Sequence, residues 1–161
     1  MKEDLQRAIA LRKDGHSGEA LVILSVLLQN HPEDPTLNYQ TAWTYDSLGK
    51  EREAVPFYEK ALAIGLSSED RKGALLGLGS TCRCLGQYQK SSDVFSRAIK
   101  EFPEDRSFKV FNAITLYNLN QSREAVSQLL IELIETTSDP SIKKYEKALR
   151  FYSDKLDQTW E

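Results

Sequence analysis

The sequence predicts an all-α fold: an array of about four antiparallel helix pairs closed by a capping helix. Three observations predict it. The 161-residue chain resembles itself at intervals of 34, 37 and 34 residues. Apolar residues inside each interval recur at helical spacing. A Gly or Asn stands where each pair of helices must turn back.

The repeat is anchored on Gly15, Gly49, Gly86 and Asn120. These residue types tolerate the left-handed conformation that ends a helix. Four residues before each anchor stand Leu11, Tyr45, Cys82 and Leu116, and five residues after it a small one, Ala20, Ala54, Ser91 or Ala125. The small residue lets the second helix approach the first. Four residues further on, Leu24, Tyr58, Phe95 and Leu129 are expected to fill the seam between pairs. Three beyond these lie Leu27, Ala61, Ala98 and Glu132, the last a departure from the small or apolar type. Pro32 and Pro103, each followed by Glu-Asp, stop the second helix of their units.

In chain order the pattern predicts helices over 3–14 and 18–30, 36–48 and 52–64, 69–85 and 89–101, 106–118 and 122–136. Pro56 falls in the early turns of its helix, where missing amide donors matter least. The 37-residue interval is explained by Ser67-Ser68-Glu69-Asp70, which reads as a capping box with Ser67 at the N-cap. The three extra residues then lengthen the next helix by about one turn. A last helix is predicted over 140–157, with Asp139 as N-cap and Pro140 at its first position. Its Ile142, Tyr145, Leu149, Tyr152 and Leu156 follow helical spacing, and its other face is charged. A repeat array needs its final apolar face covered, so this helix is expected to be the cap.

The spacings and residue types resemble the tetratricopeptide repeat (TPR) family, whose unit is 34 residues. The third unit carries the pattern most fully, in Leu75, Leu78-Gly79, Cys82, Gly86-Gln87-Tyr88, Ser91, Phe95, Ala98-Ile99 and Pro103. The second carries Tyr45, Leu48-Gly49, Glu53-Ala54, Tyr58 and Ala61-Leu62. The resemblance implies a single TPR domain over 1–161, with repeats at about 1–34, 35–68, 72–105 and 106–138 and a capping helix over 139–158. It also implies a right-handed α-α superhelix. Leu75–Ser80, Glu101–Asp105 and Thr115–Leu119 look like a small stand-alone bacterial group of TPR proteins, which implies a compact, homodimeric protein with no assigned activity.

Composition bounds the function. Hydrophobic residues are 40% of the chain and charged residues 28%, an ordinary globular balance. Net charge is −3 with the two signs interspersed, which argues against a nucleic-acid partner. The apolar run Ala20–Leu28 is too short to span a bilayer, and the N-terminus lacks an apolar signal core. A cytoplasmic protein is expected.

No chemistry-bearing constellation stands out. Cys82 and Cys84 are two apart and point to different sides of a helix. His16 and His31 fall in turns with no second ligand at metal spacing. Gly73, Gly77 and Gly79 follow no strand and fit neither phosphate-loop spacing. Gly73 and Gly77 each cost a helix about 1 kcal/mol relative to Ala, so something is expected to pack close there. No acid is paired with a base or nucleophile. Neither catalysis nor a cofactor or metal is expected.

The family's binding surface is lined by the first helix of each pair. Carried onto this chain, it implies a groove of Leu5, Ile9 and Arg12, then Tyr39, Trp43 and Asp46, then Leu76 and Arg83, then Val110, Ile114 and Tyr117. The Lys, Arg and Asn set with which chaperone-binding members clamp a C-terminal carboxylate is missing. The groove reads as apolar and aromatic, suited to an amphipathic helix of a partner protein or to a second copy of this chain. Tyr39 and Trp43, four apart on one face, are the expected anchor pair.

Overall fold

A computed structural model describes residues 1–161 as ten helices with no strand. They are α1 (Lys2–Lys13), α2 (Ser17–Asn30), α3 (Pro35–Asp46), α4 (Glu51–Ile64), α5 (Ser68–Cys84), α6 (Tyr88–Glu101), α7 (Ser107–Asn118), α8 (Ser122–Thr136), α9 (Pro140–Lys143) and α10 (Glu146–Ser153). The chain divides into two compact units, Met1–Val94 and Phe95–Glu161, the division falling within α6. None of the helices is long and apolar enough to cross a membrane.

The anchors act as the sequence predicts. Gly15, Gly49, Gly86 and Asn120 have φ of 88°, 67°, 74° and 60°. Each turn is closed by the same two backbone bonds. The amides of His16, Lys50, Gln87 and Gln121 donate to the carbonyls of Leu11, Tyr45, Cys82 and Leu116 at 2.8–3.0 Å. The anchor amides donate to Arg12, Asp46, Arg83 and Tyr117 at 3.0–3.1 Å. This is the six-to-one and five-to-two pairing that satisfies orphan carbonyls at a helix end. The residues four before each anchor therefore recur because their carbonyls close the turn. α5 has 17 residues where α1, α3 and α7 have 12, so the longer interval is spent inside that helix. Ser67 caps it, its hydroxyl accepting from the Asp70 amide at 3.4 Å.

In the first unit α1 pairs with α2 and α3 with α4, while α2 packs on α3 and α4 on α5. Ala8, Ala20, Leu24, Leu27 and Leu37 form one buried cluster, with Leu5, Leu11, Ile23 and Leu28 packed against it. Ser91 donates to the Gly79 carbonyl at 2.7 Å and ties α6 to α5. Pro56 is the sixth residue of α4, beyond the free amides of the first turn. It deprives the Arg52 carbonyl of its helical donor, and both residues are exposed, so water can serve instead.

What packs against the helical glycines is a pair of tyrosines. A Cβ on Gly77 would lie 2.4 Å from the ring carbon Cζ of Tyr58, and one on Gly73 would lie 2.1 Å from the Tyr39 hydroxyl. Tyr58 is held in place: its hydroxyl donates to Asp46 at 2.8 Å, and Thr81 donates to the same carboxylate at 2.8 Å. One carboxylate on α3 thus fixes a ring from α4 and a hydroxyl from α5.

In the second unit α7 pairs with α8, and α8 also carries α10. Phe95, Phe108, Ala113, Ala125 and Ile134 are buried, and the Phe102 and Phe108 rings lie 6.2 Å apart. Two expectations fail here. Leu129, expected in a seam, is 41% exposed: α7 and α10, which pack on α8, do not cover it. Glu132, at the small-residue position, is buried without breaking α8, because Arg106 at 2.8 Å and Lys109 at 3.5 Å pair with it.

The last segment is two helices rather than one. Asp139 caps α9, accepting from the Ser141 amide at 2.7 Å, but Lys144 and Tyr145 form a turn before α10. Arg150 of α10 pairs with Glu135 of α8. The break turns Ser153 inward, leaves Ile142 and Leu149 half-buried, and leaves Tyr145, Tyr152 and Leu156 exposed. Phe151, Tyr152 and Trp160 instead cluster with one another, ring centres 5.5–5.9 Å apart.

The interlock has a measurable consequence. On helix propensity alone, Gly→Ala in α5 stabilises by about 1 kcal/mol. At Gly77 the new methyl meets a ring that cannot retreat, so Gly77→Ala should destabilise the protein by about 1–3 kcal/mol in urea unfolding. Gly73→Ala meets only the far end of Tyr39 and should cost less.

Candidate polypeptide-binding wall

The first helices of successive pairs in unit 1 are neighbours: α1 touches α3, and α3 touches α5. They form one wall. At its centre the Tyr39 and Trp43 rings lie 5.8 Å apart, and the Arg12 guanidinium carbon sits 4.1 Å above the Trp43 ring. Trp43 is 44% exposed, so it is no core residue, whereas Arg12 stacked on it is 7% exposed. Arg12 Nη1 donates to the Gln40 carbonyl at 3.2 Å and to the Thr44 hydroxyl at 3.4 Å, bridging α1 to α3.

The remaining expected groove residues divide by environment. Tyr39 is buried, and burial first, then the nearby Asp70 charge, pushes its hydroxyl up to about 12. Ile9, Leu76 and Arg83 are half-buried. Leu5 is half-buried too, but it packs on the core between α1, α2 and α3. Asp46 is engaged by Tyr58 and Thr81 and so stands as part of the interlock. Burial raises its pKa above the ordinary value, and the two hydroxyl donors only partly offset this. Burial, together with the Asp46 charge, drives Tyr58 well above the usual tyrosine range.

Unit 2 carries its own stripe. Val110, Ile114 and Tyr117 of α7 are all exposed, Tyr117 to 66%. Phe111 is exposed beside them, its ring 6.3 Å from Phe95. A separate crevice of about 440 Å³ in this unit is lined by Asn112, Leu116, Arg123, Gln128, Ser153 and Asp154, a polar and charged set unlike the wall of unit 1.

Several features of unit 1 escape a sequence reading. Gln40 and Thr41 bury side-chain oxygens without partners beside the wall. The Asp46–Thr81 bond spans 35 residues between types that pair in many ways. The Arg12–Trp43 stack is different: 31 residues is one repeat less three, so repeat register alone could have placed one over the other.

Comparison with known proteins agrees with the helical-repeat fold. The family model described as Tetratrico peptide repeat matches residues 35–156. The chain belongs to the tetratricopeptide repeat family. Among solved TPR-like structures, MamA of Desulfovibrio magneticus RS-1 (residue 41 to its end) is 20% identical with a TM-score of 0.73, covering 97% of this chain and 85% of that one. A putative kinesin light chain of Podospora anserina with nearly identical TPR-like repeats is 19% identical with a TM-score of 0.72, covering 98% and 88%. YrrB, a TPR protein with an unusual peptide-binding site, is 21% identical with a TM-score of 0.72, covering 96% and 77%. At these identities the likeness is one of fold. No curated protein matches the sequence.

Asp46 makes this TPR wall pH-sensitive in a defined direction. An unfolded Asp titrates near 3.8, and the folded one holds its proton to higher pH. The folded state then binds more protons in that window, so Asp46's contribution to stability is present below 3.8 and is lost as pH rises through the folded value. Urea unfolding of the native protein and Asp46→Asn across this range should show the native advantage shrinking as pH rises. An advantage that grows with pH would mean the two hydroxyl bonds outweigh burial.

Proposed function

We propose that this protein is a binding module that holds a polypeptide on the wall of α1, α3 and α5, with Trp43 as its central anchor and Ile9, Arg12, Tyr39, Leu76 and Arg83 around it. The TPR fold is that of a protein–protein interaction scaffold. The observation that carries the finer reading is Trp43: a large aromatic left nearly half exposed, on a rigid helix, with Arg12 stacked on it and Tyr39 beside it. Exposed Trp with a desolvated surround is the usual composition of an interface hot spot. Asp46 supports the wall from behind. Val110, Ile114 and Tyr117 offer a second apolar stripe on α7. The reading is of binding without catalysis, in the cytoplasm.

A second reading is that the partner is another copy of this chain. The exposed Val110, Phe111, Ile114 and Tyr117 of α7, together with the Phe151–Tyr152–Trp160 cluster, support it, since each offers apolar surface that a homodimer could cover. Sedimentation over a wide concentration range separates the two: a homodimer that persists on dilution favours self-association, and a monomer favours a different partner.

The anchor reading is tested with binders selected from a random peptide library against the native protein. Truncating a hot-spot Trp costs about 2 kcal/mol or more, so Trp43→Ala should weaken the selected peptides by about thirtyfold while leaving the helical circular dichroism unchanged. Unchanged affinity for Trp43→Ala would remove the wall from the site. Lost helicity would return Trp43 to the core.

A further inference from the structure

Arg12 bridges α1 to α3, but that role uses only part of its guanidinium. It is 7% exposed and in no ion pair, its partners being a carbonyl and a hydroxyl. Its two hydrogen bonds both leave from Nη1 and are long, at 3.2 and 3.4 Å. A guanidinium offers five N–H donors, so the Nη2 and Nε edge has no protein acceptor. This edge is not sealed from solvent, so beside the Trp43 ring stacked 4.1 Å away it stands open to a ligand.

The acids that could have served are already committed. Arg12, Asp46 and Arg83 occupy the same place in three successive repeats, each three residues before its left-handed glycine. Asp46 is held by Tyr58 and Thr81. Arg83, half-buried on α5, makes no ion pair either. A chain with net charge −3 therefore presents, on this one wall, two arginines without counter-charges among Ile9, Tyr39, Trp43 and Leu76.

We propose that the free edge of Arg12 receives a side-chain carboxylate, so that the polypeptide held on this wall carries an Asp or Glu flanked by apolar residues. This rests on the wall being the binding surface. Two parallel N–H donors match the two oxygens of a carboxylate, a geometry Arg supplies and Lys does not. The Trp43 ring of α3 lies against the guanidinium, and Ile9 stands three residues before Arg12 on α1, so apolar residues adjoin it on both helices. A chain that covers both places its acid in its interior rather than at its end.

The probe is a random library of 16-residue peptides blocked at both termini. The pool selected on the native protein should be enriched in Asp or Glu at a fixed distance from apolar residues. In a selected peptide, Glu→Gln should weaken binding by about tenfold on the native protein. The same exchange should have no effect on Arg12→Met, and a reduced effect on Arg12→Lys. The peptide exchange needs no protein variant, so a misfolded Arg12→Met leaves the test intact. Apolar enrichment with no acidic preference overturns the proposal and leaves the binding wall standing. Binders found only when the peptide C-terminus is left free assign Arg12 to a chain end and overturn it too. A library with no binders at all removes the wall and the proposal together.

Discussion

Each helix pair turns back on a single left-handed residue closed by the same two backbone bonds, and the rest of the structure depends on that turn. It fixes where the first helix stops, and hence which residue stands three before the left-handed one: Arg12, Asp46 and Arg83 in three repeats, Tyr117 in the fourth. The acceptor positions of the turn and the chemistry of the wall are therefore set by one geometry. Asn120 serves as well as Gly because its φ of 60° lies where Asn is tolerated.

Within unit 1 a second constraint converts paired helices into a defined surface. The missing side chains of Gly73 and Gly77 admit Tyr39 and Tyr58, and Asp46 holds Tyr58 there. A helix that gives up propensity twice gains close approach to its neighbours. α3 is thus gripped from α4 and α5, while Trp43, one turn from the packed Tyr39, stays 44% exposed. Rigid support behind an exposed aromatic limits the ordering cost of binding.

The repeat was legible because it is local and periodic. Turn residues, helix spacing and the capping role of Ser67 all follow from short-range rules, and they gave nine helices within a few residues of those present in the first eight cases. The close approach at Gly73 and Gly77 was legible as a cost without a cause; the tyrosines that explain it come from two other helices. The C-terminal cap was misread because periodicity over Ile142–Leu156 cannot show the turn at Lys144–Tyr145. Glu132 looked like a departure because its partners lie more than 20 residues away, Arg106 at the N-cap of α7 and Lys109 within that helix. Repeat position named the candidate wall residues, but it could not separate Trp43, which is exposed, from Leu5, which packs on the core, and Asp46, which Tyr58 and Thr81 engage.

All of this converges on an open wall with Trp43 at its surface. The direct measurement is acrylamide quenching of Trp43 fluorescence in a Trp160→Phe variant, where Trp43 is the only indole left. Efficient quenching in the free protein, lost when a selected peptide is added, is the expected result. An indole shielded from acrylamide in the free protein at every concentration would contradict it.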